Sequence, residues 1–325
     1  MKLRLPAIVK ALLAALLASA LPAPAQQITS YNGPCDASAA VALDANHFVV
    51  GDDEHNTLHI YRQDRATPVA ALNLAGFLGT AADEESDIEG AAAIGNRIYW
   101  ITSHGRNSKG KARPSRQRFF ATDIVPGQPP TIQPAGQAYA NLLRDILAAE
   151  TLKPYRLDKA AHRAPEADGG LNIEGLAATA DGKLLIGLRN PLPQQRALLI
   201  PLDNPAEVIA GQPARFGEPI LLDLGQRGIR SIERIGKDYL IVAGPTGDQG
   251  SFALYRWSGH RGEAPAPVPE INFDSLRPEA LFAIPNSNRV QLLSDDGGLV
   301  IDGIECKKLP SDKQSFRSLN ISPRQ

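Results

Sequence analysis

Gly170-Leu171-Asn172-Ile173-Glu174-Gly175-Leu176 decides the fold, because the chain writes this phrase more than once. Asp87-Ile88-Glu89-Gly90-Ala91 repeats its centre, and Ser231-Ile232-Glu233 and Arg277-Pro278-Glu279-Ala280 echo it. Asp36-Ala37-Ser38-Ala39-Ala40 is a first copy with Ser in place of Glu. A turn, an apolar run and a second polar cluster follow each copy. Anchored on Ser38, Glu89, Glu174, Glu233 and Glu279, the copies lie 51, 85, 59 and 46 residues apart. One sheet unit repeated every ~40–60 residues is the mark of a radial β-propeller.

The unit itself reads as four strands. In the first copy these are Ala39–Leu43, His47–Gly51, Thr57–Arg62 and Pro68–Asn73. In the third they are Gly175–Thr179, Lys183–Leu188, Arg196–Leu202 and Pro219–Asp223, and the fourth copy reads alike. Turn residues such as Asp44-Ala45-Asn46, Gly95-Asn96 and Asp181-Gly182 separate the runs, as hairpins require. The last copy supplies Ala280–Ile284, Val290–Leu293 and Leu299–Ile301 and lacks a fourth strand. Either Gln27–Tyr31 or Ser315–Ile321 can complete it and cover an open edge. The fold expected is all-β, a five-bladed β-propeller, with six blades as the alternative.

The 85-residue spacing needs an insertion. From Ala138 to Glu150, Tyr139, Leu142, Leu143, Ile146 and Leu147 recur at helical spacing. The expectation is a single propeller domain over 26–325 with one helical insertion at about 136–165. A sixth blade within 125–170 fits less well, since that region lacks alternating β-branched runs.

The N-terminus reads as an export signal over residues 1–25. Lys2, Arg4 and Lys10 precede the apolar Ala11–Leu21, and Ala23-Pro24-Ala25 gives a small-residue cleavage site. The apolar run falls short of the ~20 residues that span a bilayer. Cleavage removes three positive charges, moving the net charge from −1 to −4, with 31 Lys and Arg against 35 Asp and Glu. So balanced a chain has no global attraction for nucleic acid. The mature protein is expected to be periplasmic or secreted, off the membrane, and monomeric. The two cysteines, Cys35 and Cys306, flank the first and last repeats, so a disulfide between them would fasten the ring. Closing so long a loop is worth at most ~4–5 kcal/mol in the unfolded-state entropy model.

Strand direction alone puts the start of each first strand and the end of each second strand on one face. The second strands end on Asp52-Asp53-Glu54-His55, Ser103-His104-Gly105-Arg106, Arg189-Asn190 and Ser294-Asp295-Asp296. First strands line the channel, so Glu89, Glu174, Glu233 and Glu279 are expected to converge at its mouth. Converging carboxylates need a cation, a shared proton or an Arg. Asp87, Glu89, Asn172, Glu174, Glu233 and Glu279 are the candidate ligands for calcium or another divalent cation. The other reading is structural: each Glu caps backbone N–H groups and locks neighbouring blades.

His104 with Arg106 is the sharpest catalytic pair, His104 moving a proton and Arg106 and Arg189 steadying developing negative charge. Lys109, Lys111, Arg113, Arg116 and Arg118 continue the basic run, which is either an anion attractor or a solvated loop. His55 lies near Asp53 and could share the mouth. No G-x-S-x-G, H-E-x-x-H, Gly-Lys-Ser/Thr or G-x-G-x-x-G phrase is present, so no nucleotide or organic cofactor is indicated.

Gly33-Pro34-Cys35-Asp36-Ala37-Ser38, Asp87-Ile88-Glu89-Gly90-Ala91, Ile101-Thr102-Ser103-His104-Gly105-Arg106-Asn107, Gly170–Leu176 and Leu188-Arg189-Asn190-Pro191 resemble a bacterial domain-of-unknown-function family of exported proteins. That resemblance covers nearly all of the mature chain and implies no activity. More distantly, the Glu-Gly-Leu/Ala opening is similar to phytase-like esterase propellers and other exported calcium-associated propellers. This implies a propeller and makes phosphoester or carboxyl-ester hydrolysis the reaction to test, with only the repeated Glu positions matched. The expected function is metal-assisted hydrolysis of small esters or phosphoesters at the channel mouth. The alternative is a non-enzymatic propeller that binds a small-molecule ligand there and keeps its carboxylates for structure.

Overall fold

Residues alternate sides along the second strand of each sheet, and both sides are buried. In Arg97–Thr102, Ile98 and Trp100 join one apolar cluster while Tyr99 and Ile101 join the next. A strand's period of two does this whenever a sheet is covered on both faces. The computed structural model describes residues 28–81, 84–247, 249–273 and 275–322. The export signal read at 1–25 lies outside the described residues.

Five four-stranded antiparallel sheets form five blades. Blade 1 holds Ala39–Ala42, His47–Gly51, Thr57–Arg62 and Ala70–Asn73. Blade 2 holds Ile88–Ile94, Arg97–Thr102, Phe119–Val125 and Thr131–Tyr139. Blade 3 holds Asn172–Ala178, Leu184–Asn190, Ala197–Leu202 and Ile220–Leu222. Blade 4 holds Gly228–Ile235, Asp238–Gly244, Ala253–Trp257 and the short Ala266–Pro267. Each first strand packs against the first strand of the next blade, and Pro278–Ala283 of blade 5 returns to Ala39–Ala42. The ring is closed.

Blade 5 corrects the sequence reading. Its strand order runs Pro278–Ala283, Val290–Ser294, Ser315–Ile321 and Ile28–Asn32. Both chain ends are therefore used, the C-terminal strand third and the N-terminal strand outermost. Val300–Ile301, expected in the blade, forms a separate two-stranded hairpin with Ile304–Glu305. The Cys35–Cys306 disulfide stands at this seam. Beside it Tyr31, Phe48, Tyr61, Phe282 and Phe316 stack and cross edge to face at 5.2–5.5 Å between ring centres. Such pairs add ~0.5–1.5 kcal/mol each beyond area burial.

No sixth blade occurs within 125–170. Thr131–Tyr139 completes blade 2, so the helix begins later than Ala138 and runs Leu142–Ala148. A 3₁₀ turn at Glu150–Tyr155 and a helical turn at Leu157–Ala160 follow. Leu142, Leu143, Ile146, Leu152 and Leu157 turn inward onto the apolar layer between blades 2 and 3. No helix among the described residues is long and apolar enough to cross a membrane.

Candidate functional site

A β-bulge opens the first strand of four blades, and it decides which side chain reaches the axis. Register slips occur between Ile88 and Gly90, between Ile173 and Gly175, between Ile229 and Ser231, and between Pro278 and Ala280. Glu89, Glu174, Arg230 and Glu279 are the extra residues. An unpaired residue in a bulge is re-aimed out of the ladder, here toward the channel. In blade 1 the corresponding place belongs to Ser38, whose amide donates to the Gly51 carbonyl at 3.2 Å. Around the axis the order is thus Ser, Glu, Glu, Arg, Glu.

Arg230 is the residue that sequence reading missed. It is 5% exposed and bridges its neighbours, with Nε 2.9 Å from Glu174 Oε2 and Nη2 against Glu279 Oε1. Arg189 adds Nη1 at 3.0 Å from Glu174 Oε1 and reaches Glu166 at 3.5 Å. Its remaining donors go to the Pro245 and Gly247 carbonyls. Asn172 Nδ2 donates to Glu174 Oε1 at 2.9 Å. On this side the carboxylates answer buried guanidinium groups, and the arrangement ties blades 3, 4 and 5 together. Glu174 and Glu279 are held by arginine where a metal was expected.

Glu233 does not reach the mouth. It lies three residues beyond Arg230, opposite Leu240, and accepts the Ala283 backbone N–H; burial pushes its carboxyl up to about 7. Asp87 is also committed elsewhere, to Arg116 Nη1 at 2.9 Å and to the Ser103 hydroxyl. Of the six candidate ligands, Glu89 alone faces the cavity and makes no hydrogen bond or ion pair among the described residues. Burial, then Glu174 and Asp87, holds its carboxyl well above the ordinary range.

The catalytic trio is not assembled. Arg189 lines the cavity, whereas His104 is 2% exposed and lies away from it. His104 Nδ1 meets the Thr102 carbonyl at 2.8 Å, and burial lowers its pKa to about 4, so the ring is neutral at physiological pH. Arg106 binds the Ala161 and Gly110 carbonyls and His162 Nδ1, pinning its loop to the helical insertion. Arg118 likewise donates to the Leu78, Pro114 and Gln117 carbonyls. Three members of the basic run, with Arg116 on Asp87, therefore serve the loop's own architecture. His55 points its Nδ1 at Asp52, 3.1 Å away, and faces a separate polar hollow between blades 1 and 2.

The opposite side of the mouth is acidic. Asp36, Asp53, Glu89 and Asp295 line the same cavity of 850 Å³ as Glu174, Arg189 and Arg230, so all five blades contribute. Asp36 and Asp295 meet side chain to side chain; burial and this neighbour push Asp36 up to about 9. Asp53 is raised well above the ordinary range by burial, then by Asp36 and Glu89. Oxygen atoms of Asp36, Asp53 and Glu54 all lie within 4.8 Å of one another. Asp53 Oδ1 is buried without a hydrogen-bond partner, and any side chain at Gly297 would collide with the Asp36 carboxylate. An all-oxygen donor set with an orphaned carboxylate atom fits a hard divalent cation. These acids sat in the second-strand ends and the first repeat, but their sequence positions alone did not separate them from the arginine-bound set.

The family model for proteins of unknown function, DUF3616, matches residues 36–121 and 133–291. No curated protein matches the sequence. Among solved structures, the Myxococcus xanthus glutaminyl cyclase is 15% identical at a TM-score of 0.44, with 82% of this chain and 90% of that one covered. The putative oxidoreductase (glucose dehydrogenase) of Thermus thermophilus is 11% identical at a TM-score of 0.44, covering 91% and 100%. The aldose sugar dehydrogenase of Streptomyces coelicolor is 10% identical at a TM-score of 0.44, covering 92% and 100%.

Proposed function

We propose that this chain, which belongs to the DUF3616 family of proteins of unknown function, is an exported hydrolase of small esters that works on a divalent cation in its central cavity. One observation carries the reading. Asp36 and Asp53 make one side of the cavity acidic, their oxygens gather within 4.8 Å of one another and of Glu54 from the adjoining hollow, and the other side is already neutralised by Arg189 and Arg230. Calcium or another hard divalent ion bound there would polarise an ester or phosphoester oxygen and lower the pKa of attacking water. The saturated guanidinium groups hold Glu174 and Glu279 in place, and on the acidic side Lys307, 3.0 Å from Glu54, is the cation that a bound metal would have to displace. Asp295, which meets Asp36 side chain to side chain and lies outside the donor trio, is the acid–base group this cavity offers in place of His104.

Export rests on the residue 1–25 leader, and the Cys35–Cys306 disulfide fits the oxidising periplasm or extracellular space. The ring of one chain encloses the whole cavity, which supports a monomer.

Calorimetric titration with CaCl2 tests the site. A single site is expected in roughly the 10⁻⁴–10⁻³ M range of extracellular calcium modules, weakened at least tenfold in Asp53→Asn. p-Nitrophenyl acetate and p-nitrophenyl phosphate, with and without EDTA, test turnover. Wild-type protein that takes up no divalent ion sinks the metal-assisted reading. Ligand saturation without turnover favours a non-enzymatic binding propeller, a second reading supported by the burial of His104 away from the cavity.

A further inference from the structure

We propose that the central cavity takes an organic cation, a small ligand carrying a primary ammonium on an apolar body, and that Glu89 receives the ammonium. The inference deepens the reading of this cavity as a small-molecule site and names the class of ligand.

Charge is the first ground. Among the described residues, eight carboxylates and four basic side chains line the cavity. Three of those four bases are already committed. Arg230 is held between Glu174 and Glu279, Arg189 is spent on Glu174, Glu166 and two carbonyls, and Lys307 Nζ lies 3.0 Å from Glu54. Apart from Arg277, the fourth base, a phosphate or carboxylate ligand would have to displace an existing ion pair, and it would still face the surplus of acids. Breaking such a pair leaves an uncompensated buried charge, which is strongly unfavourable.

Glu89 is the second ground. The residue is 7% exposed, lines the cavity, and makes no hydrogen bond or ion pair among the described residues, Arg230 and Arg189 acting on it only at longer range. An ionised carboxylate so placed is costly until a donor arrives. An ammonium brings three N–H donors and the missing charge.

The third ground is shape. At 850 Å³ the cavity is far larger than a bare ion needs and lies within the ~300–1,000 Å³ of small-molecule sites. The loops of blades 4 and 5 face it with Phe252, Ile271, Phe273 and Leu276. The Phe252 ring already has the Arg230 guanidinium 5.7 Å from its centre. Aromatic faces beside carboxylates are the chemistry that holds organic cations.

The test uses the mature chain and three probes of similar size that differ in charge: phenethylamine, 2-phenylethanol and 3-phenylpropionate. Each is titrated calorimetrically in CaCl2 and again in EDTA. Phenethylamine is expected to saturate one site at least tenfold more tightly than 2-phenylethanol, with 3-phenylpropionate weakest of the three. Glu89→Gln, of nearly the same shape, is expected to erase the amine's advantage; Glu89→Asp, which keeps the charge, should retain part of it and so separates lost recognition from lost folding. An acid probe that binds as well as the amine, an amine preference that survives Glu89→Gln, or no amine binding at millimolar concentration overturns the inference. Amine binding in a protein that ignores CaCl2 would sink the metal-assisted reading and leave this one standing. Calcium uptake with no charge preference among the probes would do the reverse.

Discussion

Glu233 and Arg230 show what one position along a strand decides. The dipeptide Ile232-Glu233 matches Ile88-Glu89 and Ile173-Glu174 in letters, yet the strand that carries it begins at Gly228. The bulge falls at Arg230, so Ile229-Arg230-Ser231 is the true counterpart of Ile173-Glu174-Gly175. Because burial raises Glu233 to about 7, the folded protein holds a proton that the unfolded chain has lost between pH ~4.5 and 7. Stability tied to this group is therefore fully present below that window and falls as pH rises through it. Glu233→Gln has no proton to lose. In urea melts it is expected to match wild type at pH 4 and to exceed it by up to about 3 kcal/mol at pH 8. A variant whose relative stability does not grow between those pH values contradicts the assignment.

At the scale of elements, the Gly of the Glu-Gly phrase is a spacing device. A Cβ on Gly175 would lie 2.7 Å from Ile229 Cγ2 of the neighbouring blade and 3.1 Å from Gly187 Cα across its own sheet. The first strands converge on the axis, where backbones approach too closely for a methyl group. Gly175→Ala should lose ~1–3 kcal/mol in urea denaturation by overpacking. Gly76→Ala, where the added carbon meets open space, should stay within about 0.5 kcal/mol of wild type. The helical insertion was legible because Leu142, Leu143 and Ile146 keep a helical period. Its start was not, since Thr131–Tyr139 is claimed as a strand by pairing with Phe119–Val125, a partner that no local pattern reveals.

The whole molecule depends on the seam where its two ends meet. The Cys35–Cys306 bond spans 271 residues of sequence, and each cysteine is followed by a residue lining the cavity, Asp36 and Lys307. Cys35→Ser with Cys306→Ser should cost several kcal/mol, with ~5 kcal/mol as the upper figure from loop entropy. It should also weaken CaCl2 affinity at least tenfold, because Asp36 is then anchored less firmly beside Asp53. A double variant that melts like wild type in urea, or that binds calcium unchanged, would show that the seam and the site are independent.

The repeat, its five copies, the strand period and the pairing of the two cysteines were written in local sequence. Hydrophobic alternation and turn residues act over a few neighbours, and a repeating unit can close only on copies of itself. Two things waited for the tertiary structure. Register, set by bulges against partner strands, put Arg230 at the axis and took Glu233 away from it. Long-range burial decided which acids met guanidinium groups and which were left facing one another. That division gives Glu174 and Glu279 to the scaffold and leaves Asp36, Asp53 and Glu89 to the cavity, because charges pair by distance in the folded chain and not by their order along it.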